Sequence, residues 1–516
     1  TLRVRTAIPI TTLDPGGCCV TPPAIMSLLY DGLSATERSG VSAPGLVANL
    51  AVALPAPTAR GTVYTFRLRP GLQYSDGSPV RASDFRRGFE RVLRGENEGV
   101  RALANIAAAA RCRPQAPCDL TKTVVADDVA GTVSIHLARP DPALLHNLTG
   151  HVAAPVPRGA PAEVGTSALP GTGPYRVATF EPERRIVLER NPYFREWSPA
   201  AQPAARPDRL IFTLGGKPAD GAEDVVRGAA DISLDPPTPA TQARLRTEAP
   251  GQVHVHRLLV TDWTWLNTKV PPFDDLRVRR ALNLAVDRRA AVKAFGGPGN
   301  AVATCQFLPP GVSGYVPYCP YTRRPSPDGR WRVPDLARAR ALVRAAGTAG
   351  MTVTLWTYPD EPYGPTLSRV VLRALERLGY RTRLRIVEDP IQIRRRRDTL
   401  QAFAGSEELE HASAGLLLGP LLNCRGFRPR RPGDTPNAAA YCDGRTLGLI
   451  ERALAEEPTD PASARRLWAT ADHRIVDQAP IVPLVNEAAT VVTGPRVGNY
   501  AWSPALGPLL GQMWVR

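Results

Sequence analysis

The 516-residue sequence predicts an α/β protein, and at roughly 100–200 residues per domain its length suggests about three domains. Two patterns carry the class. From Val260 to Val286, VTDWTWLNTKVPPFDDLRVRRALNLAV, large and polar residues first alternate with period 2 through Trp263 and Trp265, which makes a strand. Pro271 and Pro272 stop it, Asp274 and Asp275 offer N-caps, and Val278, Ala281, Leu282 and Ala285 recur at helical spacing. From Asp335 onward the pattern then alternates: helix to Ala346, strand Thr352–Thr357, helix Leu367–Leu378, strand Arg381–Val387.

The other elements follow in order. Leu2–Ile8 reads as a strand, Asp14-Pro15-Gly16-Gly17 as a turn, and Ile25–Tyr30 as an apolar helix. In VYTFRLRPGLQYSDGSPV, Tyr64, Phe66 and Leu68 alternate with polar residues between Pro70-Gly71 and Asp76-Gly77 turns, which predicts a hairpin-like strand pair. Ser83 is the expected cap of a helix with Phe85, Phe89 and Val92 on one face. A strand pair starts at Tyr175 and is closed by Asn191-Pro192, and residues 320–335 read as a long loop.

Composition narrows the function. The net charge is +16, but Lys occurs only at 122, 217, 269 and 293, so Arg supplies nearly all the positive charge. With abundant Ala, Pro and Gly, this is the signature of a GC-rich, actinobacterial-looking coding sequence. The arginines are scattered, with short runs at Arg394–Arg397 and Arg428–Arg431, and lack interleaved aromatics, so no nucleic-acid partner is expected. No apolar run of about 18 residues exists to span a membrane. TLRVRTAIPI lacks the apolar core and cleavage site of a signal peptide, so an exported protein would have had its signal removed.

Among eight cysteines, Cys112 and Cys118 lie close, while Cys305/Cys319 and Cys424/Cys442 each flank a loop. Loop-closing pairs without a CxxC predict disulfides and an oxidising compartment, and no metal site. Cys18 and Cys19 could form a vicinal disulfide, stay as thiols or pair elsewhere. Catalytic and cofactor motifs are missing. Gly296-Gly297-Pro298-Gly299 lacks the Lys and Ser/Thr of a phosphate loop, and GVSGY at 311–315 is not a nucleophile elbow. His254 and His256 share a strand face without an evident third ligand, and read as ordinary surface histidines. Neither a cofactor nor catalysis is expected.

YTFRLRPGLQYSDGSPVRASDF, GTGPYRVATFEPERRIVLERNPYF at 171–194 and NTKVPPFDDLRVRRALNLAVDR at 267–288 resemble, in order, the three signature blocks of the family 5 extracellular solute-binding proteins, the dipeptide and oligopeptide receptors of ABC importers. TLRVRTAIPITTLDP resembles that family's opening strand and turn, and PLLNC with NAAAYCD its C-terminal disulfide region. The resemblance implies a type II (cluster C) periplasmic-binding-protein fold with two main lobes, two hinge strands and an inserted subdomain. Lobe I would comprise 1–43, 166–265 and 484–516, lobe II the insertion 44–165, and lobe III 266–483. The hinges would lie near Trp263–Asn267 and Ile481–Val485. It also implies an extracytoplasmic, monomeric receptor, secreted or anchored by a lipid through a removed or upstream segment, that takes a peptide in an interlobe cleft and delivers it to an ABC permease.

For the ligand, GSEELEHASAG at 405–415 is the segment to weigh. Dipeptide receptors of the family tend to carry a Trp and then an Asp there; here Ser406 and Leu409 stand near those places, against plain dipeptide specificity. Glu407, Glu408 and Glu410 read either as a solvated acidic loop or helix start, or as partners for an ammonium or guanidinium group of an Arg-containing peptide. Gly17, Cys18, Cys19, Trp263, Trp265, Trp356 and Tyr358 are further ligand-binding candidates, with packed strand residues the competing reading for the aromatics. Arg394 would either meet a ligand carboxylate or remain solvated. The alternative functions are the same fold binding a sugar, metal chelate or secondary-metabolite intermediate, or an accessory factor in antibiotic-type secondary metabolism.

Overall fold

The computed structural model describes the chain except for residues 18–20, 39–44, 96–98, 114–116, 142, 162–163, 165–166, 360–363, 389–398, 409–412, 423, 425–436 and 458–459. The chain forms two units, one of residues 1–254 with 490–516, the other of 255–489.

In the first unit, β1 (Leu2–Thr6) is followed by α1 (Pro23–Leu29). The strand stops before the expected Ile8 because the Ala7 N–H donates to the Asp235 carboxylate instead of a neighbouring strand. β2 (Val63–Arg67) leads to α2 (Ala82–Leu93), β3 (Val124–Asp127) and β4 (Thr132–His136). β2 pairs with β4, Phe66 opposite Val133, and β4 with β3. The expected hairpin partner after Pro70-Gly71 is thereby corrected: the short polar segment around Asp76-Gly77 makes one bridge, Gln73 to Pro79, while an apolar strand far along the chain covers β2. α2 buries Phe85, Phe89 and Val92 against this sheet, as their spacing requires. Its cap is corrected from Ser83 to Arg81, whose N–H donates to Asp84 Oδ2 at 2.8 Å; Ser83 lies inside the helix and bonds Asp128.

The larger sheet of this unit adds β5 (Tyr175–Glu181), β6 (Arg185–Arg190), β7 (Arg209–Leu214) and β8 (Ile232–Ser233), in the order β8-β1-β7-β6-β5. β1 runs parallel to β7 and β8, and Thr493 and Val492 pair with β8 on its far side. Gly171 and Gly173 are required by close approach: a Cβ there would lie 2.0 Å from the Leu29 carbonyl oxygen and 2.4 Å from that of Leu28.

The second unit starts within β9 (Val253–Leu266) and continues through α3 (Leu276–Ala285), β10 (Ala301–Ala303), α4 (Leu336–Ala346), β11 (Thr352–Thr357), α5 (Pro365–Arg377), β12 (Arg381–Ile386) and β13 (Ala402–Glu408). α6 (Gly444–Glu456), α7 (Pro461–Gln478) and β14 (Ile481–Thr493) complete it. The strand order is β12-β11-β13-β9-β14, with β10 also on β14. Asp275 and Asp335 cap α3 and α4 by accepting from Arg277 N and Arg338 N. The four helical positions Val278, Ala281, Leu282 and Ala285 are all buried, packed with α4, α5 and β11 in one core. Disulfides join Cys112 to Cys118, Cys305 to Cys319 and Cys424 to Cys442, with Cα separations of 4.5, 5.1 and 4.4 Å.

Candidate functional site

The centre of the second unit's sheet, β13-β9-β14, collects most of the candidate residues the structure describes. β9 and β13 are antiparallel, with Trp263 opposite Gly405, Asp262 opposite Ser406, Thr261 opposite Glu407 and Val260 opposite Glu408. The expected acidic loop or helix start at 407–408 is therefore corrected to a strand. Glycine and glutamate have weak strand preference, but pairing along the full length of a buried neighbour overrides it. Glu410 lies outside the described residues, as do Cys18, Cys19 and Arg394.

Period 2 splits β9 into two faces. Trp263 and Trp265 are 2% and 5% exposed; their rings meet edge to face at 5.4 Å, and Trp263 also meets Phe307 at 4.6 Å. Gly405 makes this packing possible, since a Cβ there would come within 2.8 Å of Trp265 Nε1 and 3.2 Å of Trp263 Nε1. Asp262 and Thr264, on the alternate positions, are each 1% exposed. Burial and the neighbouring Glu487 carboxyl of β14 push the Asp262 carboxyl well above the usual carboxylate range. Beside it, Asn486 Nδ2 donates to Thr261 Oγ1 at 2.7 Å and ties β14 to β9.

At the end of β11, the Arg385 guanidinium lies 5.1 Å from the Trp356 ring, and Tyr358 meets Phe403 edge to face at 5.5 Å. Trp356 and Arg385 line a depression of about 410 Å³ with Val270, Thr354 and Thr399. Its floor is held by Gln401, which accepts from Thr354 N and donates to the Pro271 and Thr352 carbonyls. In the first unit, Gly17 closes the Asp14 turn by donating to the Asp14 carbonyl, and Arg91 clamps the Asp14 carboxylate with bonds of 2.8 and 2.5 Å. His254 stacks on Tyr500 and bonds Thr493 Oγ1, and no metal-holding cluster occurs among the described residues.

The sequence reading overlooked Asp262, Glu487 and Gly405. An Asp inside the apolar run VTDWTWL was a readable signal; its partner in IVPLVNEAATVV was not, because only the sheet order brings the two together.

The chain belongs to the bacterial extracellular solute-binding proteins, family 5, whose middle-region model matches residues 45–406. It is 26% identical to "Probable di/tripeptide-binding protein 5" of Pseudomonas aeruginosa, over 67% of this chain and 61% of that one. It is 29% identical to the "Periplasmic oligopeptide-binding protein OppA" of Escherichia coli, over 61% of this chain and 55% of that one. The matched stretches thus span less than two thirds of these relatives. The solved structure titled "Clavulanic acid biosynthesis oligopeptide binding protein 2" superposes on all of this chain and 95% of its own, with a TM-score of 0.84 and 25% identity. The fold is the mixed α/β type II fold of the periplasmic binding proteins.

Proposed function

We propose that this chain is an extracytoplasmic receptor that captures oligopeptides and hands them to an ABC permease, without catalysing a reaction. The observation that carries this reading is the family match across residues 45–406, supported by relatives named for di-, tri- and oligopeptides. An extended peptide suits such a receptor because main-chain hydrogen bonds supply affinity whatever the side chains.

The ligand-contact set belongs to the proposal: Gly17, Cys18, Cys19, Trp263, Trp265, Trp356, Tyr358, Arg394, Ser406, Glu407, Glu408 and Glu410. Within it, the acidic run provides carboxylates for a basic peptide. The three-lobe division given above, closure about the two connecting strands, secretion or anchoring by a lipid, and a monomeric state are part of the same reading.

Calorimetric titration with Arg-containing and neutral tri- to pentapeptides, with maltose as a non-peptide control, tests it. Micromolar or tighter binding of peptides alone supports the receptor; binding of the sugar alone refutes it. Replacing Glu407, Glu408 and Glu410 together with Gln should weaken Arg-peptide binding about tenfold or more, one charge-assisted contact being worth about 1.5–3 kcal/mol. Unchanged affinity would remove the acidic run from the site.

A further inference from the structure

At one end of the second unit's strand order, an arginine ladder borders the depression beside Trp356. β12 is the last strand there, and Arg381, Arg383 and Arg385 pair in parallel register with Thr352, Thr354 and Trp356 of β11. Period 2 puts these six residues on one face of the sheet, while Val353 and Leu355, on the other, are buried in the core with α5. All three arginines are exposed, and two-residue steps along a strand hold them about 7 Å apart. None forms an ion pair with a carboxylate among the described residues. Exposed arginines elsewhere do: Arg244 meets Glu223 and Glu248, Arg277 meets Asp275, and Arg332 meets Asp328.

The depression, of about 410 Å³, lies where this ladder approaches β13, and its volume suits a small molecule. Its floor is already fixed, because Gln401 accepts from Thr354 N and donates to the Pro271 and Thr352 carbonyls. The chemistry left open is one-sided. Arg385 lies over the Trp356 ring at 5.1 Å, a contact with the face of the cation that leaves its in-plane N–H donors unused. The Thr354 hydroxyl has no hydrogen-bond partner among the described residues. No acidic residue is among the described residues that line the depression, and Val270, Trp356 and Leu400 give it an apolar wall. Spare donors with a positive charge call for an oxyanion, and the indole wall calls for a flat apolar body attached to it.

We propose that this depression is a binding site for a small organic anion, a carboxylate or phosphate carried on a flat apolar body. Arg385 takes the charge, the Thr354 hydroxyl donates to the same oxyanion, Trp356 packs on the body, and Arg383 adds to the positive field. Binding is non-covalent and no group is transferred. The site is distinct from the acidic run, since Gln401 and Glu407 stand six residues apart along extended chain, about 20 Å. The inference goes beyond peptide capture by adding a second ligand of opposite charge, and of the contact set proposed above it draws only on Trp356.

The test is calorimetric titration of the full chain at pH 7 and about 0.1 M ionic strength, where charges more than about 10 Å apart are screened. The probes are benzoate, phenyl phosphate, benzyl alcohol, acetate and inorganic phosphate. Benzoate or phenyl phosphate should bind with millimolar or tighter affinity, the tighter of the two naming the oxyanion. Benzyl alcohol, acetate and inorganic phosphate lack either the charge or the body and should each bind about tenfold more weakly or worse. Arg385→Gln should weaken the aryl anion about tenfold or more, and Arg385→Lys, which keeps the charge without the planar fork, by less. Arg381→Gln, four residues along the ladder and outside the depression, should change it less than about threefold. Both arginines are exposed, so these variants should fold, and the five probes applied to the unaltered protein need no variant. Failure of both aryl anions to bind overturns the site. So does inorganic phosphate binding as tightly as phenyl phosphate, or an equal loss in Arg381→Gln and Arg385→Gln, either of which reduces the effect to the diffuse field of the ladder. Peptide capture is read by its own titration and stands or falls separately.

Discussion

One methyl group added at Gly405 should disturb the aromatic cluster of the second unit. The Cβ of Gly405→Ala would lie 2.8 Å from Trp265 Nε1, 3.1 Å from its Cδ1 and 3.2 Å from Trp263 Nε1. All three are tighter than ordinary van der Waals contact, and the rings have little room to give because Trp263 is packed on Phe307. Overpacking of this kind costs about 1–3 kcal/mol, partly offset by the ~0.5–1 kcal/mol that alanine gains over glycine in a strand. A net loss of about 1–2 kcal/mol is expected, read as a lower urea midpoint in tryptophan fluorescence and near-ultraviolet circular dichroism. Gly448→Ala in α6, where a Cβ meets nothing within 4 Å, should instead stabilise by about 0.5–1 kcal/mol. Trp265→Phe shortens the ring that makes the closest contact, so the double variant with Gly405→Ala should lose less than the two single losses added. A Gly405→Ala protein as stable as the unaltered one would show that the indoles have room, and would refute the packing argument.

Two further outcomes concern the same unit. Burial raises the Asp472 carboxyl from 3.8 to about 6, a difference worth about 3 kcal/mol. Because the folded value is raised, its contribution to stability is fully present below pH 4 and is lost as pH rises through 6. The stability difference between unaltered protein and Asp472→Asn should therefore shift toward the variant between pH 4 and 7, by about 2–3 kcal/mol in urea titrations; a pH-independent difference would contradict the assignment. Cys305→Ser with Cys319→Ser opens a loop of sequence separation 14 and should cost about 3 kcal/mol by thermal or chemical denaturation, with no loss expected if the bond does not form in solution.

What was legible in the sequence was local. The aspartate cap at 275, the helix begun at Asp335, the strand Thr352–Thr357 and the apolar stripe of α3 each depend on residues within one or two turns of each other. The three disulfides close short loops and were equally readable. The β2 partner was missed because strand pairing is long-range, and a turn signal at Pro70-Gly71 says only that the chain bends, not what it then meets. Ser83 was displaced as cap because Asp84 reaches back to the Arg81 N–H, an alternative that composition alone does not rank. The acidic run looked like a loop until β9 supplied a pairing partner. Asp262 and Glu487, on strands far apart in sequence, became a pair only through the strand order β13-β9-β14.

The central claim, capture of peptides, is met most directly by native mass spectrometry of the protein purified from its own extracytoplasmic fraction, with the bound species released and sequenced. The account predicts one ligand per chain, a mixture of short peptides enriched in lysine or arginine. A single non-peptide solute, such as a sugar or a metal chelate, carried at the same stoichiometry would contradict it.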